Sequence, residues 1–321
     1  MNIQKLSNDF TPSHEELLFA VDTETDSPQD VEIEVVDAAT DEVIATQRLR
    51  QIRYAEVNVA PYIKTFVEHL PARFAHTMFA EAPTMQCTIR SEETESEPLT
   101  VSVNRVSVAK PSVVTAMPLG RTIAYGETDE LLIVAEAGSR LEANIVADTG
   151  ETFAMEYLSE PGAAKLYIST KDFGKKVRAI KVELSCNEVE FATLDYRVVP
   201  LRKGALRLAW ISDCGSIERY SFPVVVKSQR KAERETIETI EGYRVVRTKA
   251  ESIISVRSHY EPRATIEAVA QALSAPRVWV EYPTHYQEVV VLSTAVDVDV
   301  FGEPECVMLG VQEWRREERA L

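Results

Sequence analysis

The chain lacks most of the features that mark whole classes of protein. No apolar run approaches the roughly 18 residues that a membrane helix needs, so membrane insertion is not expected. The stretch Met1–Phe10 has no basic segment followed by an apolar one. No secretory leader is read there, and cytoplasmic synthesis is expected. The four cysteines, Cys87, Cys186, Cys214 and Cys306, are scattered over 321 residues without CxxC spacing. That gives a disulfide framework little to build on, and reduced, mostly buried thiols are expected. The histidines, His14, His69, His76, His259 and His285, form no HExxH or HxH pattern, which leaves zinc without convergent ligands. Walker A, G-x-G-x-x-G and G-x-S-x-G are also missing, so neither a phosphate-cradling loop nor a nucleophile elbow is read. No cofactor is expected, and no repeat of solenoid period is found.

Positive charge is scarce too. Lys and Arg number 35 against 51 Asp and Glu, a net charge of −16. A nucleic-acid face needs cations to displace phosphate counterions, so nucleic acid is not an expected partner. The deficit is uneven. Residues 1–107 hold 8 basic and 19 acidic side chains, a net −11, while 108–228 hold 15 and 16 and 229–321 hold 12 and 16. The acidic end reads as a solvated surface, with a docking face for a basic partner or divalent ions as the sharper alternative.

What the chain has in quantity is period-two alternation. Val31-Glu32-Ile33-Glu34-Val35, Leu141-Glu142-Ala143-Asn144-Ile145, Val189-Glu190-Phe191, Leu206-Arg207-Leu208-Ala209-Trp210 and Val296-Asp297-Val298-Asp299-Val300 all show it. Such strands have one buried and one wet face, as in antiparallel sandwiches. Turn-rich pieces separate them, including Asp26-Ser27-Pro28, Asp148-Thr149-Gly150 and Pro161-Gly162. Two segments follow helical spacing instead. Ile63, Phe66, Val67 and Leu70 predict an amphipathic helix near 61–70, bounded by Pro61 and Pro71. Ile266, Val269, Ala270 and Leu273 predict another near 265–274, capped by Thr265 and ended before Pro276. The expected fold class is all-β: tandem antiparallel β-sandwich domains with a smaller C-terminal β domain carrying one short helix. The segments are 1–107, an acidic sandwich; 108–228, a second sandwich; and 229–321, the small β domain. The charged run from Lys227 to Glu235 reads as the connector at the second boundary, or as a long hairpin loop.

Few residues suggest chemistry. Asp22, Glu24, Asp26 and Asp30 place carboxylates along one loop, a weak calcium candidate without the glycine and flanking helices of an EF-hand. Asp297 and Asp299 share a strand face. Cys214 lies in a turn beside Asp213, with Arg219 near in sequence but no histidine to activate a thiol. Trp279 and Tyr282 share a strand, and as a surface they could stack on a sugar. Trp210, Tyr220 and Phe222 flank one turn, in which Gly215 permits a positive φ and Ser212 can bond the turn backbone. Trp210 and Phe222 are expected to pack across that hairpin.

Two stretches carry a family resemblance. Leu208-Ala209-Trp210-Ile211-Ser212-Asp213-Cys214-Gly215-Ser216-Ile217-Glu218-Arg219-Tyr220-Ser221-Phe222 resembles a strand–turn–strand signature of uncharacterised virion-type, tail-associated β-sandwich proteins from phages and prophages of gut Bacteroidetes. Leu273–Trp279 followed by Tyr286–Val291 resembles their C-terminal module, and Arg121-Thr122-Ile123 with Gly126-Glu127 and Leu131 resembles the opening of their middle segment. Ser212 stands where that group usually has Asn, and Ala275 where it has Ser. The resemblance implies a non-enzymatic structural or assembly protein, built into a virion, with protein partners or self-association. Two other readings stand beside it. One is a binding module, either a cell-surface adhesin or a carbohydrate-binding protein. The other is a glycoside-type hydrolase with two carboxylates facing each other in a cleft.

Overall fold

The computed structural model describes residues 1–67, 70–92, 94–159, 162–240, 242–293, 306–313 and 317–320. The architecture is all-β, with two short helical pieces of α type and two of 3-10 type among the described residues. His69 and the alternating stretch Val296–Val300, with Asp297 and Asp299, lie outside the described residues. No described helix is long and apolar enough to cross a membrane.

The N-terminal segment contributes β1 (Asn2–Lys5), β2 (Thr11–Pro12), β3 (Leu18–Asp22), β4 (Gln29–Asp37), β5 (Glu42–Ile52), β6 (Tyr54–Asn58), α1 (Ala60–Ile63), β7 (Met78–Glu81), β8 (Thr84–Arg90) and β9 (Leu99–Ser102). A three-stranded sheet in the order β1-β3-β6 faces a five-stranded sheet in the order β2-β9-β8-β4-β5. The inner faces meet through Phe19, Val21 and Val57 from one sheet and Ile33, Val35, Ile89 and Val101 from the other. The alternation explains this: Val31, Ile33 and Val35 are buried while Glu32 is exposed. The helix near 61–70 shrinks to the single turn Ala60–Ile63. Only Ile63 of its apolar stripe is buried, and Phe66 and Leu70 stand 47% and 45% exposed. The segment offers two β-branched residues, Thr65 and Val67, between Ile63 and Pro71, and Thr65 Oγ1 donates back to the Tyr62 carbonyl; neither favours continuing the helix.

The middle unit is a second sandwich. Its strands are β10 (Ser112–Val114), β11 (Gly120–Ala124), β12 (Thr128–Val134), β13 (Ser139–Ala147), β14 (Thr152–Ser159), β15 (Ala163–Ser169), β16 (Ala179–Cys186) and β17 (Val189–Val199). The sheets run β10-β12-β15-β7 and β11-β17-β16-β13-β14. Strand β7 therefore leaves the N-terminal unit and pairs with β15, Met78 opposite Tyr167 and Glu81 opposite Ala164. Val189 is 68% exposed, so the apolar face expected at 189–191 does not reach the core at its first position.

The C-terminal unit comprises β18 (Leu206–Ile211), β19 (Ile217–Phe222), β20 (Val224–Thr239), β21 (Gly242–Arg257), α2 (Arg263–Ala270), β22 (Val278–Glu281), β23 (Tyr286–Val291), β24 (Met308–Glu313) and β25 (Glu317–Ala320). They form one sheet, β19-β18-β22-β23-β24-β21-β20, with β25 beside β21. Helix α2 covers it through Ile266, Ala268 and Val269. Three expectations change here. Sheet membership parts the chain between β17 and β18, near residue 200 rather than 228, because β18 pairs with β19 on one side and with β22 on the other. The charged run 227–235 is no connector but part of strand β20; its described side chains are exposed or half-buried, so no apolar face announced it. Helix α2 is capped by Pro262, whose carbonyl accepts the Thr265 and Ile266 amides, and Thr265 sits buried inside the first turn.

Candidate functional site

The β18–β19 hairpin is where the three units meet. Its register sets Leu206 opposite Phe222, Leu208 opposite Tyr220 and Trp210 opposite Glu218. Trp210, Tyr220 and Phe222 all enter the C-terminal core. Trp210 and Phe222 are not cross-strand partners, a difference from the expected anchor; Phe222 packs edge-on against Tyr220 at 5.0 Å instead. The turn is tied by its own side chains. The Ser216 carbonyl accepts both the Ser212 amide (2.9 Å) and the Ser212 hydroxyl (3.2 Å), and the two seryl hydroxyls lie 2.7 Å apart. Cys214 Sγ lies 3.0 Å from Ser212 Oγ and 3.3 Å from Ser216 Oγ.

Gly215 shows what this turn touches. Its φ is +92°, and a Cβ there would lie 2.7 Å from the Val103 carbonyl oxygen and 2.9 Å from the Arg105 nitrogen. The Arg105 amide donates to the Cys214 carbonyl at 2.9 Å. The turn thus seats directly on the backbone leaving the N-terminal sandwich, an approach that only glycine permits.

The other face of the hairpin carries a buried ion network. Arg219 Nη2 donates to Glu130 Oε2 at 2.7 Å, and Lys165 Nζ reaches Glu130 Oε1 at 2.8 Å; all three side chains are at most 5% exposed. Arg207 faces Glu127 (3.6 Å), Glu281 (3.6 Å) and Asp129 (4.0 Å). Arg121 donates to Asp129 Oδ2 at 3.1 Å, and the Tyr196 hydroxyl donates to the same oxygen at 2.9 Å. On the aromatic face, opposite Trp210, Glu218 accepts from Ser216 (2.6 Å), the Ala116 amide (2.7 Å) and Thr115 (2.9 Å). Ser221 donates to Glu127 at 2.6 Å. The N-terminal segment joins through the Ala72 carbonyl, which accepts from Arg219 and from the Tyr286 hydroxyl. Arg207 and Arg219 thus project from the C-terminal sheet onto carboxylates of the middle sandwich.

The electrostatics follow from burial. Desolvation opposes the charge on Arg219 and Arg207, yet Glu130 for the first and Glu127 with Glu281 for the second outweigh it and hold both guanidiniums above their ordinary range. Burial dominates at Lys165 and lowers its ammonium despite Glu130. Burial, then Asp129, pushes the Tyr196 hydroxyl well up. Some pairing is loose: among the described residues, Arg207 Nε, Arg219 Nε and Glu281 Oε2 have no hydrogen-bond partner within reach. Glu281 borders a cavity of about 200 Å³ with Tyr286, Thr128, Lys171 and Arg73, and it is the one carboxylate among the described residues of that lining. A hydrolase of the expected kind needs two facing each other.

The remaining candidates separate. The loop carboxylates turn to different partners: Asp22 accepts the Glu24 amide, Glu24 pairs with the Met1 ammonium at 3.0 Å, Asp26 with Arg53 at 3.6 Å, and Asp30 with Arg48 at 3.0 Å and the Gln51 amide at 3.0 Å. No group of carboxylates, histidines or cysteines among the described residues converges to hold a metal, so the calcium expectation is corrected. The aromatic surface is corrected as well. Trp279 is 4% exposed, packed with Ala209, Ile211 and Ile217 beneath the Arg277 guanidinium. Tyr282 is half-buried and stacks on His285 at 5.2 Å.

Reading the sequence missed the charged half of this junction. Arg207 and Arg219 stand at polar positions of alternating strands, a pattern that a solvent-facing strand shares. The signal available was Asp129-Glu130 next to a run of Leu and Ile, where two acids in a buried strand demand cations.

No protein-family model matches the chain, and no curated protein matches it in sequence. Among solved structures it is similar to the chicken interferon gamma receptor alpha chain, at 8% identity and a TM-score of 0.20 over 60% of this chain and 95% of that one. It is similar to domains 4 and 5 of the S-layer protein SbsC, at 10% identity and 0.19 over 53% and 99%. It is also similar to a tetra-tandem repeat from the extending region of a large adhesion protein, at 8% identity and 0.21 over 78% and 69%.

Proposed function

We propose that the chain is a non-enzymatic structural protein that works by holding protein partners, in a phage- or prophage-derived, tail-associated particle. One observation carries this reading. A hairpin of two 16-residue strands, β20 and β21, is borne on a body whose three units are clamped together at a buried junction. The junction fixes orientation, and its carboxylates among the described residues are engaged by Arg121, Lys165, Arg207 and Arg219. The hairpin spans about 50 Å at the usual rise per residue, long enough to reach a neighbouring subunit. The carbohydrate reading loses its surface, since Trp279 is buried. The resemblance in the β18–β19 and β22–β23 stretches supplies the phage setting.

The reading is tested by density-gradient sedimentation of source-cell lysate, with the chain followed by mass spectrometry. Recovery in a fast-sedimenting particle with a fixed set of partners supports it. Recovery only as free 36.0 kDa protein overturns it.

A further inference from the structure

Strand β20 is the edge of its sheet along its whole length, paired among the described residues to β21 alone. An edge of this kind turns every second N–H and C=O outward without a ladder partner. The edge is regular where it is longest. Residues 227–235 match 255–247 one to one, and 236–239 match 245–242. The two extra residues of the ribbon fall elsewhere, at Val226 of β20 and Val246 of β21. The stretch 227–239 therefore keeps strict alternation, as a further strand requires.

Little else covers this ribbon. The described side chains from Lys227 to Ile240 are exposed, apart from half-buried Gln229. Strand β21 has a second neighbour at Ile253–Arg257 and Arg247–Ala250 among the described residues. Towards the tip only the two strands remain, and a two-stranded ribbon alone in water is marginal.

Charge lies along β20 in two blocks. Lys227, Arg230 and Lys231 give the half next to the body +3, while 233–239, with three Glu and Arg234, give the outer half −2. Strand β21 answers in the opposite order. Residues 244–249 hold three basic residues and no acidic one, and they lie in register with the acidic half of β20; Glu251 lies in register with Lys231. Sign thus alternates across the hairpin. A strand added outside β20 continues the alternation if it is acidic near the body and basic near the tip. Strand β20 itself, run antiparallel, has that order.

We infer that β20 of one copy pairs edge to edge with β20 of a second copy, antiparallel about a two-fold axis near Ala232, so that two sheets become one. The inference rests on the structural reading above and names the partner as the chain itself. The contact is isologous and closes at two copies. The two bodies lie at opposite ends of the paired strands, roughly 40 Å apart at the usual rise. A two-fold axis normal to the sheet keeps each side chain on its own face, which brings Glu235 among Lys227 and Lys231 of the second copy. On the other face Arg230 approaches Arg234 of the second copy, which tempers the affinity without reversing the match of the blocks.

The test is light scattering joined to hydrogen exchange on the purified full chain over a range of concentrations. The mass is expected to rise from 36.0 kDa to twice that value and no further, with exchange slowing at 227–239 as it does. Lys227→Glu with Lys231→Glu and, separately, Glu235→Lys with Glu238→Lys are each expected to weaken the dimer about tenfold, because like charges then face each other across the edge. Mixing these two variants restores a pair, since an acidic edge then meets a basic one. Ala232→Cys is expected to give a disulfide-linked dimer on mild oxidation that the unaltered chain does not give. All five positions are exposed, and unchanged circular dichroism confirms the fold; mass and exchange on the unaltered chain test the inference without any variant. A monomer at every concentration overturns it and leaves the charges of β20 as a guard against strand pairing. A dimer whose β20 amides exchange as fast as in the monomer overturns it, and so does a mass that climbs past two copies. None of these results touches the structural reading, which falls only if the native protein is absent from particles.

Discussion

Replacing Gly215 by alanine separates two costs at the junction. The first is conformational: φ is +92°, and an L side chain there costs about 1–2 kcal/mol. The second is steric. The new Cβ would stand 2.7 Å from the Val103 oxygen and 2.9 Å from the Arg105 nitrogen, both backbone atoms that cannot swing aside. The turn must lift, which forfeits the Arg105–Cys214 bond, about 1 kcal/mol, and disturbs packing by about 1–3 kcal/mol. Together these give about 3–6 kcal/mol. Gly150→Ala is the control: its φ is +95°, and nothing lies within 4 Å of its Cβ position, so it bears the first cost alone. Urea titration followed by tryptophan fluorescence measures both variants, and hydrogen exchange reads the Arg105 amide. Losses equal within about 0.5 kcal/mol, well under the steric share, would show that the turn does not seat on the N-terminal unit. Unaltered protection at Arg105 in Gly215→Ala would show the same.

Three further outcomes are expected. Arg219→Met strips Glu130 of its shorter ion pair (2.7 Å) and should cost about 3–5 kcal/mol, whereas Arg219→Met with Glu130→Gln and Lys165→Met should recover most of it; losses that simply add in urea titration would refute the coupling. At Asp172, burial works against the charge, but the Thr77 amide and His76 outweigh it and leave the carboxyl below its usual range. Stability from this group is present above the unfolded carboxyl value near pH 4 and is lost as pH falls through the folded one. Asp172→Asn should therefore flatten the fall of Tm with acid, and an unchanged slope sinks the assignment. Burial, with Asp37 adding, pushes the Cys87 thiol up to about 12. Thiol reagents should modify half-buried Cys214 and Cys306 in the native chain and reach Cys87 and Cys186 only on unfolding; native labelling of Cys87 would contradict its burial.

The strands of both sandwiches were legible because one face was apolar and the other wet, as at Val31–Val35 and Leu141–Ile145. Helix α2 was legible for the same reason at helical spacing, although its cap was not, since Pro262 serves through its carbonyl and leaves no side-chain signature. The charged stretch of β20 was not legible as strand because its described side chains are mostly exposed, and charge alternation without an apolar partner reads like a loop; only the base of the ribbon, at Ile254 and Val256, reaches the core. The Gly215 turn was visible as a turn, but its seat on Val103 and Arg105 joins residues more than a hundred positions apart, and no local pattern encodes that. Trp279 failed as a surface residue because the side of β22 that bears it is covered by Ile211 and Ile217.

The buried charges say why the junction is polar at all. An apolar interface between the middle sandwich and the C-terminal sheet would tolerate sliding, because hydrophobic burial is proportional to area and has no direction. Arg219 on Glu130 at 2.7 Å and Lys165 on the other oxygen of the same carboxylate at 2.8 Å allow one register, since any shift strands a buried charge. Long arms gain most from such a constraint. A few degrees of rotation at β18 would displace a tip about 50 Å away by several ångströms, given the rise of extended strands. The loose contacts around Glu281, where Arg207 Nε stands 3.6 Å and Arg219 Nε 3.9 Å from the same oxygen, add attraction without the geometry of a hydrogen bond. Register is therefore set at Glu130 and Asp129, and the arginines' remaining charge is balanced at Glu127 and Glu281. The β18–β19 hairpin is thus also the element that aims the β20–β21 ribbon.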